Sequence, residues 1–294
     1  MTFGERFLVA PELFPARYSG ERWGDAAFTI GLPGGPYRVT GLSSEQQASL
    51  GERFSETGAA AAIDIQVFRA PESDFHAIDT RGWEYSLDFE GTAIAGMRLM
   101  ARIDAARAAL WTPAADREHF PGIFENVLRP LVAMRLLASG GLLVHSAAVI
   151  TNDRATLFPG PSGSGKSTIS RLALDAGYEV LSDDLNAVVR DGDAFQLMPL
   201  PFTGDLTVDE IANRAAPLRA IVRLEKGDVE SCRAMSRAEA VSLLVRSSPY
   251  VNRDAVCAEL LFDRAAELAA AAGLDILTFR RDGNVWPILE GSCP

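Results

Sequence analysis

An α/β fold with a β-rich α+β N-terminal part is what this sequence predicts, on three observations. Residues before about 120 alternate apolar and polar side chains with the period of half-buried strands. Residues after that point alternate apolar strands with amphipathic helices. A glycine-rich loop, GPSGSGKS, lies where one of those strands gives way to one of those helices. The change in character predicts two domains, 1–120 and 121–294.

In the first part, GLPGGP (31–36) is a turn cluster, and SSEQQASLGERFSE (43–56) is a short helix with Ser43 or Ser44 as its N-cap. IDIQVF (63–68) sets Ile63, Ile65 and Val67 against Asp64 and Gln66. WEYSLDF (83–89) sets Trp83, Tyr85, Leu87 and Phe89 against Glu84, Ser86 and Asp88. Both are period-2 strands. This part carries no catalytic constellation and reads as a scaffold or acceptor-recognition module.

The second part opens with a helical pattern, IFENVLRPLVAMRLLASGG (123–141), in which Pro130 should kink the helix or begin a new first turn. Two strands follow, LLVHSAAVI (142–150) and ATLFP (155–159), joined by a turn. After the glycine-rich loop come a helix from Lys166 to LDAG, a strand EVLSDD (179–184) and a hairpin (186–199) turning at Asp191-Gly192. A further strand, LRAIVRLEKGD (218–228), two amphipathic helices and a closing stretch of strand character, DILTFRRDGNVWPI, complete the chain.

The composition, 48% hydrophobic and 23% charged, is that of a globular protein. A formal net charge of −11 without a basic block argues against a nucleic-acid partner. The apolar runs are interrupted by charges and glycines, so no membrane span is expected. The three cysteines have no metal or framework spacing, and the N-terminal 20 residues lack an apolar signal core. The odd, sparse cysteine count suits a reducing environment, and a cytoplasmic location is the expectation. Of 28 Lys and Arg residues only two are lysines, Lys166 and Lys226, so a lysine within a glycine-rich loop is not there for solubility.

Gly160-Pro161-Ser162-Gly163-Ser164-Gly165-Lys166-Ser167 fits G-x-x-x-x-G-K-[ST]. Glycines let consecutive N–H groups turn inward as an anion nest, and the following helix aims its positive end at the same point. Lys166 would reach the outer phosphates of ATP, and the Ser167 hydroxyl would face Mg²⁺. Thr168 completes the phosphate-binding stretch. In a chain of this length a chance match is on the order of one in a hundred or less. Asp183 and Asp184 close the next strand. Taken alone, such a pair is ordinarily a turn or cap, but strand ends in an α/β sheet face the phosphate crevice. There one carboxylate can hold Mg²⁺ and the other can face an incoming nucleophile. His145 lies on the strand leading towards the loop. A lone histidine on an apolar strand is ordinarily a core residue, and no His/Cys cluster offers a zinc site.

Together, LLVHSAAVITNDRATLFPGPSGSGKSTISRLALDAGYEVLSDD resembles the core of the HPr kinase/phosphorylase family, whose nucleotide fold is of the phosphoenolpyruvate-carboxykinase type. The resemblance covers about residues 140–228. It implies a P-loop kinase core with ATP and Mg²⁺ as cofactors. Asp183 would be the base taking a hydroxyl proton, Asp184 a Mg²⁺ ligand beside Ser167, and His145 an aid at the transferring phosphoryl group. Two departures stand out. Thr168 occupies a place where the family has Glu, and PLPFTGDL (199–206) lies where its HPr-docking signature would be. The resemblance is closer to HPr-kinase-related proteins of bacterial gene clusters, some of which phosphorylate a serine of a small ribosomal peptide.

The expected activity is ATP-dependent transfer of a γ-phosphoryl group to a hydroxyl-bearing acceptor, a peptide, protein or small molecule. The rival readings are a non-catalytic ATP-binding sensor and a carboxykinase-like enzyme. The latter would need upstream metal-ligating Lys and His, and the N-terminal part has no lysine. The acceptor, the nucleotide preference, reverse phosphorylase activity and the oligomeric state (monomer or homo-oligomer) are open at this level.

Overall fold

The computed structural model describes residues 20–60, 63–76, 84–88, 91–103, 106–202, 204–253 and 257–291. The N-terminal stretch read above as lacking a signal core lies largely outside them, as do Trp83, Phe89 and the side-chain alternation expected between them. The chain divides into two compact units, Met1–Arg135 and Leu136–Pro294, a break later than the expected 120/121. The break falls within one helix, Phe120–Ala138 (here α2), which has Pro130 inside it. No new first turn begins at Pro130. Proline removes one backbone bond, but Val127, Leu128, Leu131 and Val132 are all fully buried, which favours one continuous helix.

The N-terminal unit is built on an eight-stranded mixed sheet. Its strands are β1 (Glu21–Arg22), β2 (Ala26–Ile30), β3 (Tyr37–Leu42), β4 (Ile63–Arg69), β5 (Glu84–Asp88), β6 (Gly91–Gly96), β7 (Leu99–Ile103) and β8 (Arg107–Thr112). They run in the order β2-β3-β4-β8-β7-β6-β5, with β1 on β4. Ile63, Ile65 and Val67 are buried and Asp64 is exposed, as the alternation requires. Helix α1 (Ser44–Arg53) starts at Ser43, whose hydroxyl accepts from Gln46 N while the Gln46 side chain accepts from Ser43 N. That capping box satisfies two otherwise orphaned donors.

The C-terminal unit positions the site. Its strands are β9 (Leu142–Thr151), β10 (Arg154–Pro159), β11 (Glu179–Ser182), β12 (Leu185–Asp191), β13 (Ala194–Met198), β14 (Ala216–Lys226), β15 (Ser231–Ala234) and β16 (Gly273–Phe279). Helices α3 (Lys166–Asp175), α4 (Arg237–Ser247), α5 (Ala258–Ala271) and α6 (Trp286–Glu290) accompany them. The β9–β10 turn places Asn152 and Asp153 at φ 49 and 58, which two short polar side chains tolerate. Strands β10 and β11 are each antiparallel to β9, and β14 and β16 run parallel to β10. The C-terminal ends of β10, β11, β14 and β16 therefore share one edge. Helix α3 lays Ile169 and Ala173 on Val149, Phe158 and Val180 of the sheet. Full burial of a side chain such as Ile169 contributes about 1.5–3 kcal/mol.

Two local expectations fail here. The closing stretch is strand only to Phe279 and ends in α6, where Pro287 in the first turn suits a helix start. Cys232 on β15 is disulfide-bonded, against the expectation of reduced cysteines. No helix among the described residues is long and apolar enough to cross a membrane.

Candidate active site

The shared edge receives the glycine-rich loop from β10, Asp183 and Asp184 from β11, and Lys226 from β14. Between these lies an open cleft of about 380 Å³, lined by His145, Ser162, Gly163, Gly165, Lys166, Ser167, Thr168, Asp183, Asp184, Gly204, Asp205 and Lys226. Gly160, Pro161 and Ser164 do not line it; they build the loop behind it. The Gly160 and Pro161 carbonyls each accept from Lys166 Nζ at 3.0 Å.

The loop-to-helix junction depends on Gly165, whose φ of 107° lies in the left-handed region and whose added Cβ would come 3.0 Å from Phe279. Lys166 is then the first residue of α3, and it is buried. Burial lowers the Lys166 pKa, while the Asp184 and Asp183 carboxylates pull it back up. An ammonium held by two carbonyls and partly desolvated is a ready partner for phosphate oxygens.

The two aspartates are placed differently. Asp183 is 5% exposed. Its Oδ2 accepts from Asp205 N at 3.0 Å, and a Cβ on Gly204 would lie 2.5 Å from its Oδ1. Glycine at 204 therefore lets the loop pass this close to the carboxylate. Burial raises the Asp183 pKa, and backbone N–H groups of Asp205 and Leu206 oppose the rise. Asp184 is more open. Its Oδ1 lies 3.5 Å from His145 Nε2. Burial, and then the Lys166 charge, lower the His145 pKa, with Asp184 opposing. Burial and the Lys166 charge thus favour the neutral imidazole over the charged one. His145 is stitched in place by its own carbonyl, which accepts from Gly160 N at 3.3 Å, while Ser146 N donates to Asp184 O at 2.9 Å.

Three lining residues were not among the sequence candidates: Gly204, Asp205 and Lys226. A signal existed for Lys226, since both lysines of the chain line this one cleft. Asp205 and Gly204 belong to PLPFTGDL, where no motif match singles them out.

The donor set fits a nucleotide phosphate chain. The buried Ser164 hydroxyl has no hydrogen-bond partner among the described residues, and it belongs to the phosphate loop. Ser167, Asp184 and Asp205 line the cleft with side-chain oxygens, the donor type that a hard cation takes. No three His, Cys, Asp or Glu side chains among the described residues form a metal-holding group on their own. Mg²⁺ usually keeps waters and takes part of its coordination from substrate phosphates, so a cation would arrive here with its nucleotide.

The family model of SynChlorMet cassette protein ScmC matches residues 123–290, more than half of the chain. The chain belongs to the ScmC family. That description names a cassette protein and no chemistry, so the chemistry of this ScmC-family member is argued from its site. No curated protein matches it in sequence. Among solved structures it is similar to the HPr(Ser) kinase/phosphatase from Coxiella burnetii, at 12% identity and a TM-score of 0.28, over 50% of this chain and 90% of that one. A likeness this distant carries no functional argument.

Proposed function

We propose that the C-terminal unit is a P-loop kinase core that uses Mg·ATP to phosphorylate a hydroxyl group of a peptide, protein or small molecule, with serine as the favoured acceptor. One observation carries the reading: the phosphate loop and two carboxylates of unequal environment line a single cleft. Holding a nucleotide needs a metal ligand. It does not need a second, buried carboxylate with a raised pKa, which is the property of a proton acceptor tuned towards its working pH.

In this reading the loop N–H groups, Lys166 and Lys226 hold the phosphate chain. Asp183 takes the hydroxyl proton as the acceptor oxygen bonds to the γ-phosphorus and the bond to the ADP oxygen breaks. The products are a phosphate monoester, ADP and one proton. His145 Nε2, 3.5 Å from Asp184 Oδ1, lies close enough to orient that carboxylate. Bound Mg²⁺, held by Ser167 and Asp184, would supply neutralisation of charge on the outer phosphates. We assign acceptor selection to the N-terminal unit, and we exclude HPr as the acceptor because PLPFTGDL offers no match to a docking signature. One residue favours the sensor reading, Thr168, which places no carboxylate beside Ser167 in sequence.

The test is incubation with Mg·ATP and a panel of HPr, serine-ended peptides and free serine, followed by intact-mass analysis and site mapping. Phosphate on a serine hydroxyl supports the proposal. Rapid phosphorylation of HPr removes the exclusion. Release of inorganic phosphate alone, or no turnover, favours the ATPase or sensor reading.

A further inference from the structure

We infer that Ser182 and Asn186 are positioning residues that hold Asp183 and Asp184 together in the cleft, an inference that rests on reading that cleft as a Mg·ATP site. Both aspartates line the cleft. They are neighbours in sequence, and a regular strand sends successive side chains to opposite faces. The chain must therefore leave regular strand geometry between β11 and β12, which both pair antiparallel with β9.

The hydrogen bonds show how it does so. Ser182 stands opposite Ala148 and Leu185 opposite His145, so Asp184 falls opposite Ser146. A regular hydrogen-bonded pair there would exchange two backbone bonds. One is made, from Ser146 N to Asp184 O at 2.9 Å. Asp184 N–H turns instead to Ser182 Oγ at 3.1 Å. The Ser146 carbonyl left behind accepts from Asn186 Nδ2 at 2.8 Å, and the same amide donates to Ser146 Oγ at 3.0 Å. Two buried side chains thus close a backbone pair that is left half open at the aspartates. Asn186 does so at a cost, since its Oδ1 is buried with no hydrogen-bond partner among the described residues. The bland alternative is a strand irregularity that only satisfies its own polar groups. Its place argues for more. Ser146 follows His145, whose carbonyl accepts from Gly160 N at 3.3 Å, so β9 ties the break to the first residue of the phosphate loop.

The experiment titrates Mn²⁺, read by electron paramagnetic resonance, into full-length protein saturated with a non-hydrolysable ATP analogue, with phosphoryl transfer measured beside it. Ser182→Ala removes the acceptor for Asp184 N–H, and Asn186→Leu removes the donor to Ser146 O. Each should weaken Mn²⁺ binding and slow transfer by about tenfold or more, the scale for partners that orient a metal ligand. Metal-free nucleotide affinity should stay within about twofold, because the charge-assisted bonds of the phosphate loop are untouched. Ser182→Thr keeps the hydroxyl on a residue suited to strands, and it should restore Mn²⁺ binding towards wild type. The two Ser182 variants decide the matter if Asn186→Leu folds poorly. A purely structural role would lower stability and leave Mn²⁺ affinity and transfer per folded molecule at wild-type values, and that result overturns the inference. Ser182→Thr binding Mn²⁺ no better than Ser182→Ala overturns it too. If Asp184→Asn loses Mn²⁺ while Ser182→Ala and Asn186→Leu keep it, this inference falls alone. If wild type shows no nucleotide-dependent Mn²⁺ binding, the Mg·ATP reading falls with it.

Discussion

In the N-terminal unit the buried carboxylate of Glu125 is closed by two guanidiniums, Arg53 and Arg129. In the C-terminal unit Asp183, buried to a similar degree, is met by backbone N–H groups and borders an open cleft. A buried charge with ionic partners on two sides is a structural device, costly to break. One that keeps a raised pKa beside a phosphate loop is a candidate for chemistry. Other buried polar groups follow the same division. Gln46 in the first unit donates to the Ala114 carbonyl, whereas Lys166 in the second is buried at the cleft itself.

Substitutions can break or sharpen this contrast. The largest effect is expected from Lys166→Ala, which removes the ammonium at the loop. Nucleotide affinity or turnover should drop by about 10²-fold, the scale of one or two charge-assisted bonds. Calorimetry with Mg·ATP checks it, and unchanged affinity together with unchanged turnover would break the assignment of the loop. Gly204→Ala comes next. The new Cβ meets Asp183 Oδ1 at 2.5 Å, so the loop or the carboxylate must shift. Transfer should slow by about 10- to 10²-fold, as for a misplaced reacting group, with nucleotide binding largely retained.

The pH–rate profile offers a smaller, directional effect. Asp183 must be ionised to accept a proton, and burial holds its pKa above the ordinary 3.8. Activity should therefore decline as pH falls through a limb lying above that value. A limb at or below the ordinary carboxylate value would contradict Asp183 as a desolvated base. The smallest effect on chemistry is expected from Glu125→Ala. Because Arg53 and Arg129 are partly exposed, the loss should be about 1–3 kcal/mol of stability. Denaturant titration should show that loss while transfer per folded molecule is unchanged. A transfer defect without destabilisation would erase the contrast between the units.

Much of the C-terminal unit was legible because its signals are local. The loop pattern, the β9–β10 turn, the β12–β13 hairpin (whose turn, Gly192-Asp193, falls one residue past the expected pair) and the aspartate pair at a strand end each declare themselves within a few residues. The N-cap was legible for the same reason to within one residue, Ser43 or Ser44, but its partner Gln46 was not singled out. What was not legible depends on distance along the chain. Asp205 reaches Asp183 across 22 residues and Ser167 across 38, so nothing local marks it. Of the two outcomes expected at Pro130, a new first turn does not occur, because burial on both sides outweighs the local penalty. The short helix at Trp286 was missed because its five residues are too few for a helical period to show.

The central claim is that one cleft separates holding the nucleotide from accepting the proton. Its most direct test is a single-turnover measurement on wild type and Asp183→Asn, with labelled Mg·ATP and the hydroxyl acceptor identified in the panel. Nucleotide occupancy and phosphoryl transfer are read in the same samples. The account predicts occupancy within a few-fold of wild type and transfer slower by about 10²-fold or more, as for loss of a positioned base. Undiminished transfer by Asp183→Asn would contradict it.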